Sequence, residues 1–237
     1  MCFVNLMSWN DQLIHFVDFE GSIVSGVLEY GVVSLRGGNL VPAGGRFCRP
    51  AGRVRAEETA VHGLAAEALA GCAPFADEFD IFSRLRETGP LAAHFANAEN
   101  TLIKATWPYP RAVPDFTHAA DARLVLDWGP WIDTGRLYTQ TRGDSGEVAR
   151  STGGGLGLAE LVAAEGLQAR LDALAAEHCP PERRHYHAAL YDALAGALLL
   201  TRLAALPAWG DKSLRWLIEH STLNAGKREI LRQGELF

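Results

Sequence analysis

The chain has 237 residues, a hydrophobic fraction of 48% and a formal net charge of −6. These values exclude global disorder and a collagen-like or coiled-coil composition, because a chain of this length and apolar content can bury a sizeable core. The acidic charge argues against a protein that coats duplex nucleic acid non-specifically. It allows an enzyme that holds nucleic acid locally through metal ions.

The cysteine pattern and the hydropathy of the chain indicate the cellular compartment in which the protein is expected. The four cysteines show no C-x-x-C spacing, which disfavours a zinc site and fits a reducing compartment. The N-terminal residues lack the basic region and the long apolar core of a signal peptide. The most apolar run, residues 188–200, is too short for a bilayer span and contains Asp192. We therefore expect a cytoplasmic protein with no membrane partner.

The first part of the chain is predicted to form three antiparallel strands. Residues 13–19 and 27–35 are rich in β-formers, and the Gly-Gly-Asn stretch after Arg36 predicts a hairpin into a third strand at 40–48. The first of these strands is expected to be central in its sheet.

The rest of the chain alternates helices with short strands. Helical spacing covers 57–71, 75–87, 96–107 and 132–140, and a buried strand follows the Gly-Pro break at 89–90. A further strand candidate spans 123–128, a polar loop spans 141–155, a short helix follows, and the longest helical pattern spans 185–206. This order predicts an α/β domain over residues 1–206 with a mixed sheet flanked by helices, and a helical extension over 207–237.

Two carboxylates end the first predicted strand. Residues i and i+2 of a strand project to one face, so Asp18 and Glu20 point the same way and Phe19 points into the core. Two such acids repel each other unless a cation lies between them, and Mg²⁺ prefers oxygen ligands. Taken alone, the pair equally fits two solvated acids at a strand end.

A histidine and an aspartate mark the start of the longest helix. His187 and Asp192 would face one site only if His187 precedes the helix proper, which the upstream Pro180-Pro181 pair favours. Asp192 lies on an otherwise apolar helix, where a buried acid needs a partner or a metal. Taken alone, a helix-start histidine and an exposed aspartate fit better.

Three other polar residues have simple structural interpretations. Glu99 lies near a predicted helix N-terminus, where the helix dipole favours an acid. Asp133 is interpreted as a helix cap, and His15 is interpreted as a structural residue of the first strand. Arg183 and Arg184 fit solvated surface better than contacts with a nucleic-acid backbone.

Taken in order, these residues resemble the motifs of the DnaQ-like (RNase H-like) 3′–5′ exonucleases with a histidine base, the DEDDh group. Asp18 and Glu20 match the group's Asp-x-Glu, residues 94–99 align with its second motif, and His187 to Asp192 match His-x4-Asp. Residues 62–64 and 131–134 resemble the group's His-Gly-Ile and Ile-Asp-Thr segments. Two positions depart from the pattern: Glu99 replaces an aspartate, and Phe95 replaces an asparagine.

The resemblance implies an RNase H-like fold with a mixed five-stranded sheet, and two-metal hydrolysis of phosphodiester bonds from the 3′ end of DNA. Two Mg²⁺ or Mn²⁺ ions are implied, with Asp18 bridging both, Glu20 and Asp192 completing one shell and Glu99 supporting the other. His187 would act as general base, and nucleoside 5′-monophosphates would be released. The residues implied to line the pocket for the terminal nucleotide are Gly21, Ser22, His62, Gly63 and Leu64.

Two alternatives stay open. One is an exoribonuclease of the same fold. The other is a catalytically weak accessory protein, motivated by Glu99 and by the C-terminus. The last residues resemble the Gln-x-x-Leu-Phe peptides by which bacterial replication and repair proteins bind the sliding clamp, with Gln233, Leu236 and Phe237 as the contact residues. A terminal Leu-Phe pair also fits folding back onto the domain.

Overall fold

The computed structural model describes residues 8–117, 123–143 and 157–222. Its strands are β1 (Ile14–Ser22), β2 (Gly26–Arg36), β3 (Asn39–Phe47), β4 (Leu91–Ala93), β5 (Val113–Pro114), β6 (Leu124–Val125) and β7 (Ile132–Asp133). Its helices are α1 (Ala56–His62), α2 (Ala66–Leu69), α3 (Phe79–Thr88), α4 (Asn97–Thr106), α5 (Thr134–Gly143), α6 (Leu158–Ala164), α7 (Gln168–His178), α8 (Ala189–Ala204), α9 (Pro207–Gly210) and α10 (Leu214–Ser221). Most of the predicted 141–155 loop and the C-terminal peptide lie outside the described residues.

The central sheet has five strands in the order β3-β2-β1-β4-β7. The first three strands along the chain pair antiparallel, whereas β4 runs parallel to β1 and β7 runs parallel to β4. The predicted mixed five-stranded sheet with a central first strand is confirmed. The parallel pairing brings the carboxyl ends of β1, β4 and β7 to one edge, the place where open α/β sheets bind ligands.

The fifth strand differs from the sequence prediction. Of the predicted strand at 123–128, only Leu124–Val125 is extended, and it pairs with β5 outside the central sheet. Leu124 and Leu126 are about 60% exposed, so the apolar alternation in this segment does not mark a core face. Ile132–Asp133, predicted as the start of a helix, forms β7 instead, because Ile132 pairs with Ala92 of β4 in the buried core.

The sheet is packed on both faces. Helix α8 crosses β1 and β2 on one face and is buried along nearly its whole length, since α6 and α7 cover its other side. Phe16, Leu194 and Leu198 belong to this core. The opposite face carries an aromatic cluster that includes Phe19 and Phe82. An apolar helix such as α8 is expected where a helix is covered all round.

The end of the described chain packs on the same core. Leu217 and Ile218 of α10 are buried, and the α10 residue Ser221 accepts a hydrogen bond from the Asp133 backbone amide at 3.0 Å. The domain boundary at residue 206 stays a prediction. No helix in the described ranges is long and apolar enough to cross a membrane.

Candidate active site

The end of β1 presents its two acids to one face. Phe19 packs edge-on against Phe75 and Phe82 on the opposite face, with ring centroids 5.3 and 5.5 Å away. Asp18 and Glu20 therefore point toward α8, as strand geometry requires. The register of β1 against β2 shifts just after Glu20, and this bulge ends the regular pairing beside the acids.

A glycine on β2 lets α8 approach these acids. Gly31 pairs with Asp18 across the sheet, and a Cβ on Gly31 would lie only 2.4 Å from the Ala189 carbonyl oxygen. The backbone at the start of α8 therefore rests directly on the sheet beside Asp18. This close approach places the motif around α8 next to the motif of β1.

The helix predicted over 185–206 begins four residues later, at Ala189, so His187 precedes α8 as the motif interpretation requires. Its backbone is in the left-handed region, with φ 65°, which costs a residue other than glycine about 1 kcal/mol. Its amide donates to Asp192 Oδ2 at 3.0 Å. Its side chain is exposed, and one ring nitrogen lies within 4.8 Å of carboxylate oxygens of Glu20 and Asp192. Asp192 is buried in the first turn of α8, so the exposed position that fits it best when taken alone is wrong, and the inward orientation that the motif needs is observed.

Glu99 reaches the site from α4. Strand β4 lies beside β1, so the turn that follows β4 brings the first turn of α4 to the same edge of the sheet. Glu99 is 5% exposed there. Asp133 holds the turn, since its carboxylate accepts the backbone amides of Phe95, Ala96 and Arg136, each at 3.1 Å. The prediction of Asp133 as a helix cap is confirmed, and it serves two helices.

The replacement of the motif asparagine by Phe95 has a packing basis. Phe95 has a φ of 61°, and its ring lies against Gly135, where a Cβ would come within 2.6 Å of it. The aromatic side chain fits because the second residue of α5 is this glycine.

The carboxylates strongly perturb one another. Burial raises the pKa of Asp18 well above its ordinary value, and the charges of Asp192, Glu99 and Glu20 raise it further. Burial also raises the pKa of Glu20 to about 8, with Asp192 adding to the shift. Burial raises the pKa of Glu99 to about 8 and that of Asp192 to about 7. Such a group of acids stays ionised only with positive charge supplied between its members.

The site therefore fits divalent cations. Among the described residues, the buried side-chain polar atoms without a hydrogen-bond partner are Glu99 Oε2, Asp192 Oδ1 and His62 Nε2. Two of these three are oxygens of the predicted ligands, and buried polar atoms normally have partners. Unpartnered carboxylate oxygens are what a hard oxygen-seeking cation would bind.

The predicted nucleotide-binding residues lie at two turns. Gly21 and Ser22 end β1, and a Cβ on Gly21 would lie 2.2 Å from the Gly26 carbonyl oxygen, so only glycine fits. Gly63 adopts a left-handed conformation that ends α1, which splits the single helix predicted over 57–71 into α1 and α2. Within this second turn, the Leu64 amide donates to His62 Nδ1 at 3.0 Å. Their contact with a nucleotide stays a prediction.

Sequence reasoning missed two buried charged residues beside the site. Arg183, interpreted above as solvated, is 7% exposed and forms an ion pair with Glu29 of β2, which is 6% exposed. The signal was present in the sequence, because an acid inside a run of apolar strand residues needs a cationic partner. His15 is buried and contacts the Ser34 and Thr88 hydroxyls at 2.7 and 2.8 Å, so its predicted structural role is confirmed.

A cavity of about 390 Å³ lies beside the first turn of α4. It is bounded by α4, α10 and the loop before β7, with Asn100, Lys104 and Trp131 among its lining residues. None of the four predicted metal ligands lines it.

No family model matches the chain, and no curated protein matches it. Solved exonuclease structures do share its architecture. Exonuclease X in complex with 5′-overhanging duplex DNA has a TM-score of 0.56 and 18% identity, covering 86% of this chain and 99% of its own. The chain has the RNase H-like exonuclease fold.

Two exonuclease I structures extend this likeness. The enzyme from Methylocaldum szegediense has a TM-score of 0.62 and 16% identity over 93% of this chain and 45% of its own. E. coli exonuclease I in complex with a dT13 oligonucleotide has a TM-score of 0.58 and 11% identity, over 82% of this chain and 41% of its own. This chain thus spans less than half the length of either exonuclease I.

Proposed function

We propose that the protein is a metal-dependent 3′–5′ exonuclease that hydrolyses phosphodiester bonds at single-stranded or frayed 3′ ends of DNA and releases nucleoside 5′-monophosphates. One observation carries the proposal. Four carboxylates from β1, α4 and α8 meet at one sheet edge with raised pKa values and unpartnered oxygens, beside an exposed histidine. The likeness to exonucleases that were solved with DNA supports it.

The acids supply a ligand set for two divalent cations, Mg²⁺ or Mn²⁺. When bound, such ions offset the charge of the scissile phosphate and act as Lewis acids. Asp18 is influenced by Asp192, Glu99 and Glu20 together, so it is suited to a shared position. Glu20 and Asp192 would serve one ion with it, and Glu99 the other.

His187 is suited to take the proton of the attacking water. Its imidazole is exposed and lies next to the Glu20 and Asp192 carboxylates. Imidazoles titrate near neutrality, which favours general-base catalysis at physiological pH. The neighbouring carboxylates would stabilise the imidazolium that forms.

The test is an exonuclease assay on a 5′-labelled single-stranded DNA oligonucleotide, with Mn²⁺ and then with EDTA. We expect a ladder that shortens from the 3′ end, that is absent with EDTA, and that is absent for Asp18→Ala. His187→Ala should lower turnover about 100-fold and leave Mn²⁺ affinity within twofold, as loss of a general base does. Near-normal turnover of this variant would refute the base assignment.

A parallel assay on an RNA oligonucleotide separates the exoribonuclease alternative. Faster degradation of RNA than of DNA would replace the DNA assignment. No product from either substrate would favour an accessory binding protein, because Glu99 extends one methylene further than the aspartate of the resembled motif.

The clamp contact and the cytoplasmic location are further parts of this proposal. Gln233, Leu236 and Phe237 lie outside the described residues, so sequence alone supports the contact. Binding to an immobilised bacterial sliding clamp should be lost in the Leu236→Ala, Phe237→Ala double variant, while its activity on free oligonucleotide stays unchanged. Equal binding of both proteins would contradict the contact.

A further inference from the structure

Arg183 lies at the centre of a buried hydrogen-bond network behind the active site. Its guanidinium forms two bonds to the Glu29 carboxylate and donates to the carbonyl oxygens of His62 at 2.7 Å and His187 at 3.1 Å. Glu29 Oε2 in turn accepts the Ala189 amide at 3.1 Å. The pair thereby links β2, the end of α1 and the segment that enters α8.

This network holds the backbone on both sides of the His187 side chain. The His187 amide donates to Asp192, and its carbonyl accepts from Arg183. The amide of Ala189, two residues further on, is held by Glu29. The strained φ of His187 is thus maintained by contacts on each side, while its imidazole stays exposed.

We propose that Glu29 and Arg183 are positioning residues for His187: they fix its backbone so that the imidazole is directed toward the carboxylate cluster. This inference rests on the proposed function for the role of His187. The contacts themselves are independent of it.

A contribution to folding stability does not by itself account for the buried ion pair of Glu29 and Arg183. Replacing a buried ion pair by apolar residues often leaves stability unchanged or improves it, whereas a planar guanidinium fork gives strong directional control. The His62 turn has its own bonds, from the Gly63 amide to the Thr59 carbonyl at 2.8 Å and from the Leu64 amide to His62. The His62 and His187 carbonyls both accept from Arg183, but His187 also has a strained φ, so we expect the loss of the fork to affect His187 most.

The decisive variant is Arg183→Lys, which keeps the charge but cannot donate to Glu29, His62 and His187 in one plane. We expect kcat to fall about tenfold, with KM and the Mn²⁺ midpoint each within twofold of wild type. In the His187→Ala background the same substitution should change kcat by less than twofold. An additional tenfold loss in that background would overturn the proposal.

A matched control is available in Arg46→Lys. Arg46 also pairs with a buried glutamate, Glu78, but it is exposed and contacts neither His187 nor the carboxylate cluster. This variant should keep wild-type kcat. Thermal unfolding of each variant checks that it is folded, and Glu29→Gln provides a second perturbation of the pair if Arg183→Lys unfolds.

A readout without turnover separates this proposal from the proposed function. Mn²⁺ should broaden the ring-proton NMR signals of His187, assigned by their loss in His187→Ala, because the ring lies beside the ligands. Arg183→Lys should weaken this broadening at equal Mn²⁺ occupancy, and Arg46→Lys should not. Unchanged broadening in Arg183→Lys would overturn the positioning role. Absent nuclease activity with the expected NMR result would overturn the exonuclease function alone.

Discussion

Two sets of acids in this protein have different surroundings. Glu29 and Glu78 each have an arginine, and each accepts a further bond, from the Ala189 amide and from the Tyr30 hydroxyl. Within residues 8–117, 123–143 and 157–222, no arginine or lysine forms an ion pair with the four acids at the sheet edge, and two of their oxygens have no partner. The fold therefore satisfies its structural acids and leaves the acids of the site available to a ligand.

Neutralising one acid from each set should have opposite effects on activity and stability. Asp18→Asn should lower Mn²⁺-dependent exonuclease activity about 1000-fold, because it removes the carboxylate that the proposed function assigns to both ions. The same change should raise the metal-free melting temperature by roughly 5 °C, since it relieves repulsion among neighbouring carboxylates. Activity assays and thermal unfolding in EDTA measure both effects.

Glu78→Gln should behave in the opposite way. Activity should stay within twofold, while the free energy of unfolding falls by about 2 kcal/mol, because a charge-assisted bond to Arg46 is lost. If both substitutions destabilise the metal-free protein equally, the distinction between the two sets of acids is wrong.

Glu99→Asp tests whether the longer side chain is adapted to this site. Glu99 Oε2 is buried without a partner, and shortening the chain would withdraw it from the cluster by about 1.5 Å. We expect activity to fall about tenfold, because such sites need geometry within about 0.5 Å. An increase in activity would instead support the accessory-protein alternative.

Removing the metal should show how far the unpartnered acids lower the stability of the folded protein. The folded pKa values of Glu20 and Glu99, about 8, and of Asp192, about 7, lie above their ordinary values. The metal-free folded state then binds more protons than the unfolded chain, so stability falls as pH rises from about 4.5 to 8. Melting curves in EDTA should show this decline.

Adding Mn²⁺ at about 100 times its dissociation constant should restore about 2.7 kcal/mol at pH 8. It should also flatten the pH dependence, because bound ions favour the ionised carboxylates. The Asp192→Asn variant, which lacks one of the predicted ligands, serves as a control, and all buffers are free of Zn²⁺. The same pH slope with and without Mn²⁺ would contradict ion binding at this cluster.

His15 should produce a smaller effect of opposite sign. Burial lowers the pKa of His15 to about 4, so the folded state resists protonation that the unfolded chain accepts below about 6.5. Stability from this residue is therefore lost as pH falls, by about 1 kcal/mol between pH 6 and pH 5. His15→Gln should remove this component from urea unfolding curves collected at the two pH values.

Local patterns predict much of this fold and of its candidate site. Alternation in β1 predicts the shared face of Asp18 and Glu20, and Pro180-Pro181 correctly indicates that His187 precedes the long helix. The helix over 57–71 was predicted as continuous because apolar spacing does not register the left-handed Gly63. The fifth strand was misplaced because two-residue strands carry almost no periodic signal.

Side-chain period and chain breakers are local properties, so the amino-acid sequence predicts which residue types stand at the ends of strands and helices. Which of those ends meet depends on how the sheet and its helices pack. Parallel pairing of β4 with β1 brings Glu99 to the site, and close packing of α8 over Gly31 brings His187 and Asp192. The pairing of Glu29 with Arg183 spans 154 positions of the chain, and a contact of that separation depends on the completed packing of the sheet against its helices.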